Sequence, residues 1–319
     1  MSGKIPWNHT LKPLMLAPMQ GITNRGLRNV FSEWVRPDVI FTEFIRVRPG
    51  SKKPLSQTDL LEVADKGNSV PLVAQLIGRD MQALLLAADA VQNAGVRHLN
   101  INMGCPFGRM NARSAGGALL MEPAGIEEIL LALRKEVAGS LSIKMRAGYE
   151  DPMQIFSLLP LFENVGIDFL VLHPRTVKQK YAGKADHVLT RRVVASTRIP
   201  LIANGDITTT AEGCEVLEST GSAGLMLGRG AIGDPMLFER LRGKAPAEPI
   251  RDLRAAELRY YLLKILDCYR DIFCGETQVL CKMKAVVTYI CESQFSTHMK
   301  VLKRCKNLAK FVDLIQGIE

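Results

Sequence analysis

Eight short apolar runs, each followed by a longer amphipathic stretch, constrain this chain more than any other feature. They fall at residues 14–19, 39–44, 71–77, 98–103, 141–145, 169–173, 200–203 and 224–227. Between them lie helical patterns. Within 80–93, Met81, Leu84, Leu85, Ala88 and Val91 share one face, and 123–137 opens on Pro123 and spaces Ile126, Ile129, Leu130 and Leu133 at a helical period. Strands that alternate strictly with helices make a parallel sheet, because parallel neighbours need a crossover connection. Eight of them predict an α/β fold of the (β/α)8 TIM-barrel type. The alternative is an open doubly wound sheet. That fold usually carries G-x-G-x-x-G after its first strand, and here the turn reads Ala17-Pro18-Met19-Gln20-Gly21.

The alternation stops near residue 241. Residues 242–253 hold Gly243, Pro246 and Pro249 with few large apolar residues, and read as a linker. Beyond it the pattern is helical throughout, with helices expected over 255–272, 277–292 and 296–318. The chain thus divides into a barrel over 1–241, the linker, and a small all-helical C-terminal domain over 254–319. Net charge is +9, and residues 242–319 carry 14 Lys/Arg against 9 Asp/Glu, so more than half of the excess sits in the last quarter. A basic surface favours an acidic partner, nucleic acid first. Lys300, Lys303, Arg304 and Lys310 fall on about one third of the circumference of the last expected helix. They suit phosphate contacts, or simply a solvated face.

At 319 residues, 47% hydrophobic and 23% charged, the chain can bury a large core without disulfide staples. Its seven cysteines (105, 214, 268, 274, 281, 291 and 305) form no C-x-x-C pair and no cluster with zinc spacing. Reduced thiols in a cytoplasmic compartment, and no metal, are therefore expected. The opening residues carry no signal-peptide pattern, and no apolar run of about 18 residues appears, so neither secretion nor a membrane span is expected.

Barrels of this kind do their chemistry at the C-terminal ends of the strands. Those ends hold Met19, Glu43, Gln75, Asn102, Lys144, His173, Asn204 and Gly228-Arg229. Polar groups there make poor core filler; a Lys closing a buried strand is costly without an acceptor. After the last two strands, Asn204-Gly205-Asp206 and Gly228-Arg229-Gly230 each place a Gly at the strand end. Loops in these two positions often bind phosphate through backbone N–H groups, and Arg229 can add a charge-assisted bond. A phosphorylated cofactor or substrate is expected. Cys105 follows the run ending at Met103 and is bounded by Gly104 and Pro106. A thiol on such a loop can meet a substrate; its plainer alternative is a buried structural Cys.

Taken in order, Ala17-Pro18-Met19-x-Gly21-x-Thr23, Thr42-Glu43-Phe44, Gln75-Leu76-x-Gly78, Asn102-x-Gly104-Cys105-Pro106, Gly116-Gly117-Ala118-Leu119-Leu120, Lys144-x-Arg146-x-Gly148, His173-x-Arg175-Thr176, Asn204-Gly205-Asp206-Ile207 and Gly228-Arg229-Gly230 resemble the tRNA-dihydrouridine synthases. The segment Thr42 to Val47, with Lys282 and Lys284, looks closest to the C-type bacterial subfamily. The resemblance implies an FMN-dependent barrel with a helical RNA-binding domain. It implies a ping-pong reaction in which NADPH reduces FMN, a hydride passes to C6 of a tRNA uracil in the D-loop, and Cys105 protonates C5. A neutral thiol is wanted for that step, so no cation is expected close enough to Cys105 to lower its pKa.

By the same resemblance, Ala17, Pro18 and Met19 would pack against the isoalloxazine, and Gln75 and Lys144 would bond its polar edge. His173 would contact cofactor or uracil. Asn204, Gly205, Asp206, Gly228 and Arg229 would hold the phosphate. Asn102 would read the uracil edge, Arg146 and Arg175 would meet the FMN phosphate or RNA, and Lys300, Lys303 and Arg304 would meet RNA. The chain departs from the family pattern at Asn24 and Asn100, where Asp is usual, and at Pro174, where Gly is usual; structural effects alone are expected of the two Asn. A monomer acting on tRNA is expected. Two other readings stay open: an FMN barrel acting on a free pyrimidine, which leaves the basic tail unexplained, and a non-catalytic RNA-binding barrel.

Overall fold

Side chains alternate between the two faces of a strand, and here that alternation sorts the core from the site. The computed structural model describes residues 5–51, 53–64, 69–106 and 115–319. Its strands are β1 (Leu14–Leu16), β2 (Val39–Phe41), β3 (Ile45–Arg46), β4 (Leu72–Ile77), β5 (His98–Met103), β6 (Leu141–Arg146), β7 (Phe169–His173), β8 (Leu201–Asn204) and β9 (Gly224–Leu227). All the pairings are parallel. The ring runs β1–β2–β4–β5–β6–β7–β8–β9 and closes by pairing β9 with β1. That is the expected eight-stranded barrel. The short β3 adds to it, pairing Ile45 and Arg46 with the end of β4.

Inside the barrel, Met15, Val39, Phe41, Val73, Phe169, Val171, Ile202 and Met226 form one apolar cluster. Trp7 packs beneath it, edge-on to Phe169 at 4.9 Å. Their neighbours in sequence, such as Leu14, Leu16, Ile40, Leu170 and Leu225, point outward into the core shared with the helices. Two residues further along each strand, the same inward phase reaches Ala17, Gln75, Lys144, His173, Asn204 and Gly228, and on β5 it reaches Asn102. The rim is polar because the inward phase changes chemistry at the strand ends.

Around the barrel lie α1 (Arg25–Trp34), α2 (Gln57–Val63), α3 (Met81–Asn93), α4 (Ala124–Glu136), α5 (Gln154–Val165), α6 (His187–Ala195), α7 (Thr210–Thr220), α8 (Arg229–Gly233) and α9 (Leu237–Leu241). Asn24 caps α1, accepting from Gly26 N and Leu27 N, and its amide nitrogen donates to Tyr269 Oη in the helical region. Asn24 Nδ2 also donates to Ile22 O; an Asp could cap but could not donate.

The helical region comprises α10 (Arg251–Ile272), α11 (Glu276–Val287), α12 (Ser296–Arg304) and α13 (Leu308–Gln316). Two expectations are corrected here. Helix α10 starts inside the stretch read as linker, at Arg251. The helix expected over 296–318 is broken at residues 305–307, where the Asn307 side chain accepts from Lys310 N and caps α13. Lys310 therefore belongs to a different helix from Lys300, Lys303 and Arg304. Helix α10 packs on α1, with the Phe31 ring edge-on to Tyr261 at 6.1 Å. A buried ion network ties the same helix to the segment after β9. Arg254 meets Asp234, Glu257 and Glu292, and Arg240 meets Asp234 and Glu257.

Candidate active site

The polar rim is wired before any ligand arrives. Gln75 is fully buried; its Nε2 donates to Asn100 Oδ1, and its Oε1 accepts from Asn102 Nδ2, both at 2.8 Å. Asn100 in turn donates to Ser142 Oγ. Asn can accept on one side and donate on the other, whereas Asp at 100 would lack the donor. Asn102 uses its Oδ1 to accept from Gly104 N (3.0 Å) and Cys105 N (2.9 Å). That turn carries the chain out of β5 and sets Cys105 on the rim. Asn102 lines the cleft, yet its carbonyl is committed to the Cys105 loop. From the other side, Gly117 N donates to Cys105 O, and a Cβ on Gly116 would stand 3.2 Å from Cys105 Cβ. The paired glycines leave room for the Cys105 turn.

Lys144 on β6 is half-buried and donates to Asn204 Oδ1 at 3.0 Å, while Asn204 Nδ2 donates to Met226 O. Burial pushes the Lys144 ammonium down to about 8; Arg146 adds to this and the Cys105 sulfur opposes it. Arg146 also feels Cys105. Lys144 and Arg146 line the same cleft as Cys105. The register pairs Asn102 with Lys144 and Met103 with Met145, so the residues leaving β5 emerge beside the cations that end β6. Arg146 braces the rim, donating to Gly104 O, Thr176 O and Lys180 O.

Arg175 is almost fully buried and bonds His173 Nε2 (2.9 Å), both Asp206 oxygens, Ala182 O and Gly183 O. Its donors are taken up by protein, so it shapes the site from behind. An arginine only donates, so Nε2 of His173 is an acceptor and the ring proton sits on Nδ1. Burial, then Lys144, Arg146 and Arg175, drive His173 down to about 2; it is a neutral imidazole at any working pH. Pro174 costs this turn nothing, because Arg175 N bonds His173 O across it. Burial pushes the Asp206 carboxyl up, but bonds from Arg175 and Ala185 N and the charge of Arg229 outweigh it and hold the group below its ordinary range. Asp206 Oδ1 sits 2.9 Å from Arg229 Nη2. It thus aims two arginines instead of facing an anion itself.

These elements frame two connected spaces. A cleft of about 530 Å³ is lined by residues that include Pro18, Met19, Asn102, Cys105, Lys144, Arg146, His173 and Arg229. Its volume lies in the range of ordinary cofactor and ligand sites. Among the described residues four cations and no carboxylate line it, Arg46 being the fourth. A smaller recess of about 110 Å³ adjoins it, between Ala17, Asn204–Thr208 and Gly228–Gly230. At Gly228 a side chain would fill this recess, with its Cβ 3.6 Å from both Ala17 Cβ and Met19 Sδ. An apolar wall at β1, a cationic floor and a glycine-lined recess after β8 and β9 fit a phosphorylated planar cofactor such as FMN.

The structure brings together Ala17, Pro18, Met19, Asn102, Cys105, Lys144, Arg146, His173, Asn204, Gly205, Asp206, Gly228 and Arg229 around these spaces. Gln75 and Arg175 lie directly behind them. Lys300, Lys303 and Arg304 lie on the exposed face of α12, away from the lining. Several lining residues were given no role from the sequence, among them Phe44, Arg46, Tyr181 and Tyr289. Tyr181 had a local signal, a basic stretch from Lys178 to Lys180 ending in an aromatic residue. Tyr289 had none, since only the packing of the helical region brings it to the barrel.

Fold and site together define a (β/α)8-barrel enzyme whose rim sets a thiol in a cation-lined cleft beside a glycine-lined recess. Solved structures with the same fold include an old yellow enzyme homologue from Zymomonas mobilis (TM-score 0.54, 14% identity, 74% of this chain and 90% of that one). A morphinone reductase variant crystallised with tetrahydroNAD is similar (TM-score 0.55, 13% identity, 75% and 89% covered). The dihydrouridine synthase (Dus) family model matches residues 15–307, and the chain belongs to that family. Its relatives include tRNA-dihydrouridine synthase B of Vibrio cholerae, 35% identical over 237 residues (74% of this chain, 73% of the relative). The B enzyme of Pseudomonas aeruginosa is 31% identical over 263 residues (77% and 76%). These relatives are B-type, whereas the segment from Thr42 to Val47 resembles the C type.

Proposed function

We propose that this chain reduces a D-loop uridine of tRNA to 5,6-dihydrouridine, with FMN as cofactor and NADPH as reductant. The observation that carries the reading is the placing of Cys105 across a cation-lined cleft from the glycine recess that suits a phosphate. FMN, when bound, supplies the hydride that goes to uracil C6. The rest is done by the chain. Ala17, Pro18 and Met19 form the apolar wall for the ring system, and Gly205, Gly228 and Arg229 hold its phosphate. Asp206 aims Arg229, and Gln75 fixes Asn102. Lys144 offers a positive charge to an anionic ring edge. His173, neutral, offers an N–H to a carbonyl. Cys105 gives its proton to uracil C5, and Lys144 and Arg146 then face the thiolate left behind.

We assign residues 1–241 to this barrel, and 254–319 to binding RNA as a monomer in the cytoplasm. Among the described residues no helix is long and apolar enough to cross a membrane. The test is a two-step assay on purified enzyme. Cys105→Ala should be reduced by NADPH at the parent rate but be reoxidised by tRNA about 10²–10⁴-fold more slowly. Equal reoxidation of mutant and parent would remove Cys105 from the mechanism. Reoxidation by free uracil in place of tRNA would favour the small-pyrimidine reading.

A further inference from the structure

Tyr289 belongs to the helical region, just beyond α11, yet it lines the cleft beside Cys105, Lys144 and Arg229. Among the described residues it is the helical region's one contribution to that lining. Its position is built into the backbone. A Cβ on Gly233, at the end of α8, would lie 2.5 Å from Tyr289 O, so only glycine lets the two backbones approach this closely. The same join is bolted by Arg254, whose Nη2 donates to Gly233 O at 2.8 Å and to Glu292 Oε1 at 2.6 Å. Tyr261 Oη adds a bond to Ile232 O.

Tyr181, on the loop after β7, lines the same cleft as Tyr289. Arg229 lies over the Tyr181 ring at 5.0 Å and Arg146 at 5.4 Å. Tyr289 is half-buried; burial and the neighbouring Tyr181 raise its phenol, and Arg229 opposes them. Neither phenol makes a hydrogen bond within the described residues. Two aromatic faces and two guanidinium groups around one opening are the parts that hold single-stranded nucleic acid, rings for a base and cations for its phosphates. A base reduced inside a barrel must first leave its stack, at a cost of a few kcal/mol. Contacts at the mouth are what can offset that cost.

Resting on the uridine-reductase reading, we infer that Tyr289 is a substrate-positioning residue: with Tyr181 it clamps the extruded nucleotide at the cleft mouth. The helical region thereby completes the active site, besides holding RNA outside it. A free pyrimidine would have no use for this clamp.

The experiment uses full-length holoenzyme carrying Tyr289→Ala or Tyr289→Phe, with unmodified tRNA transcript as the probe. Flavin spectrum and the rate of flavin reduction by NADPH should match the parent for both variants. For Tyr289→Ala, the tRNA concentration giving half-maximal reoxidation should rise about 5- to 150-fold, the span that loss of one base-stacking ring produces. Tyr289→Phe keeps the ring and should stay close to the parent. Parent-like tRNA dependence in Tyr289→Ala overturns the inference, and so does an equal loss in both half-reactions, which would mark a merely structural role. Parent holoenzyme that takes electrons from NADPH but forms no dihydrouridine overturns the uridine-reductase reading itself, and the inference with it.

Discussion

Lys144 and His173 lie on adjacent strands two residues apart in register, and burial acts on them in the same direction with different consequences. Both are pushed toward neutrality, because a low-dielectric site disfavours charge. His173 ends at about 2 and does not titrate in any useful range, so it acts as a fixed donor. Lys144 ends at about 8, where a modest pH change alters its charge. The sign is simple: below about pH 8 the ammonium is present, and above it the amine is neutral. If the ammonium stabilises the anionic reduced flavin, flavin reduction by NADPH should slow as pH rises through 8. An anion seated beside the lysine would move that inflection upward. Lys144→Met should reduce flavin about 10- to 100-fold more slowly, the value of one charge-assisted bond, and should lose the inflection. Stopped-flow reduction between pH 7 and 9.5 checks this; an inflection that survives in Lys144→Met would belong to another group.

The turn that follows β5 depends on elements that lie far apart in sequence. Gly117 is the second residue of a short 3-10 helix, Gly116–Met121, and lies close against Cys105 and the loop after β7. A Cβ there would stand 2.6 Å from Val177 Cγ2 and 3.0 Å from Cys105 O. Val177 is β-branched and stiff, and Cys105 O is backbone, so neither yields cheaply. Gly117→Ala should destabilise the fold by about 1–3 kcal/mol and slow reoxidation by tRNA more than reduction by NADPH. Gly125→Ala, in α4 with nothing within 4 Å of the added carbon, is the control and should add about 0.4–1 kcal/mol. Urea unfolding of both variants separates the cases, and equal effects would dismiss the packing argument. Glycines of this kind mark the limit of reading the sequence. The strands were legible because each apolar run is bounded by breakers, and the rim residues were legible because period two carries them inward. The bond from Asn102 Oδ1 to Cys105 N, the burial of Arg175 behind the rim and the arrival of Tyr289 were not, since each depends on a partner that only folding supplies. The break at 305–307 lay within reach, because Asn307 is a strong cap residue. A run of apolar and basic residues at helical spacing on both sides of it suggested one continuous helix.

The charge of the molecule and its rigidity combine at the level of the whole chain. The excess of +9 is spread unevenly, and the helical region carries the larger share for its length. That region is held to the barrel by buried ion pairs, Arg254–Asp234 at 3.2 Å and Arg240–Glu257. Arg254 and Arg240 are each only 2% exposed at the side chain. Buried pairs of this kind fix geometry more reliably than they add stability, and losing one partner is costly. A basic surface on such a rigid mount keeps a constant relation to the cleft, so phosphate contacts can set which nucleotide reaches Cys105. Lys300, Lys303 and Arg304 project from α12 into solvent, and none takes part in an ion pair among those the described residues form. Each phosphate they neutralise should release counterions and steepen the dependence of tRNA affinity on salt. Replacing all three by Ala should lower the slope of log K against log salt by about 2–3. The rate of flavin reduction by NADPH should not move, because no step of it involves RNA. Filter binding of tRNA from low to moderate salt gives the slope directly. An unchanged slope would show that these three cations face only water, and would place the RNA path along the rim arginines instead.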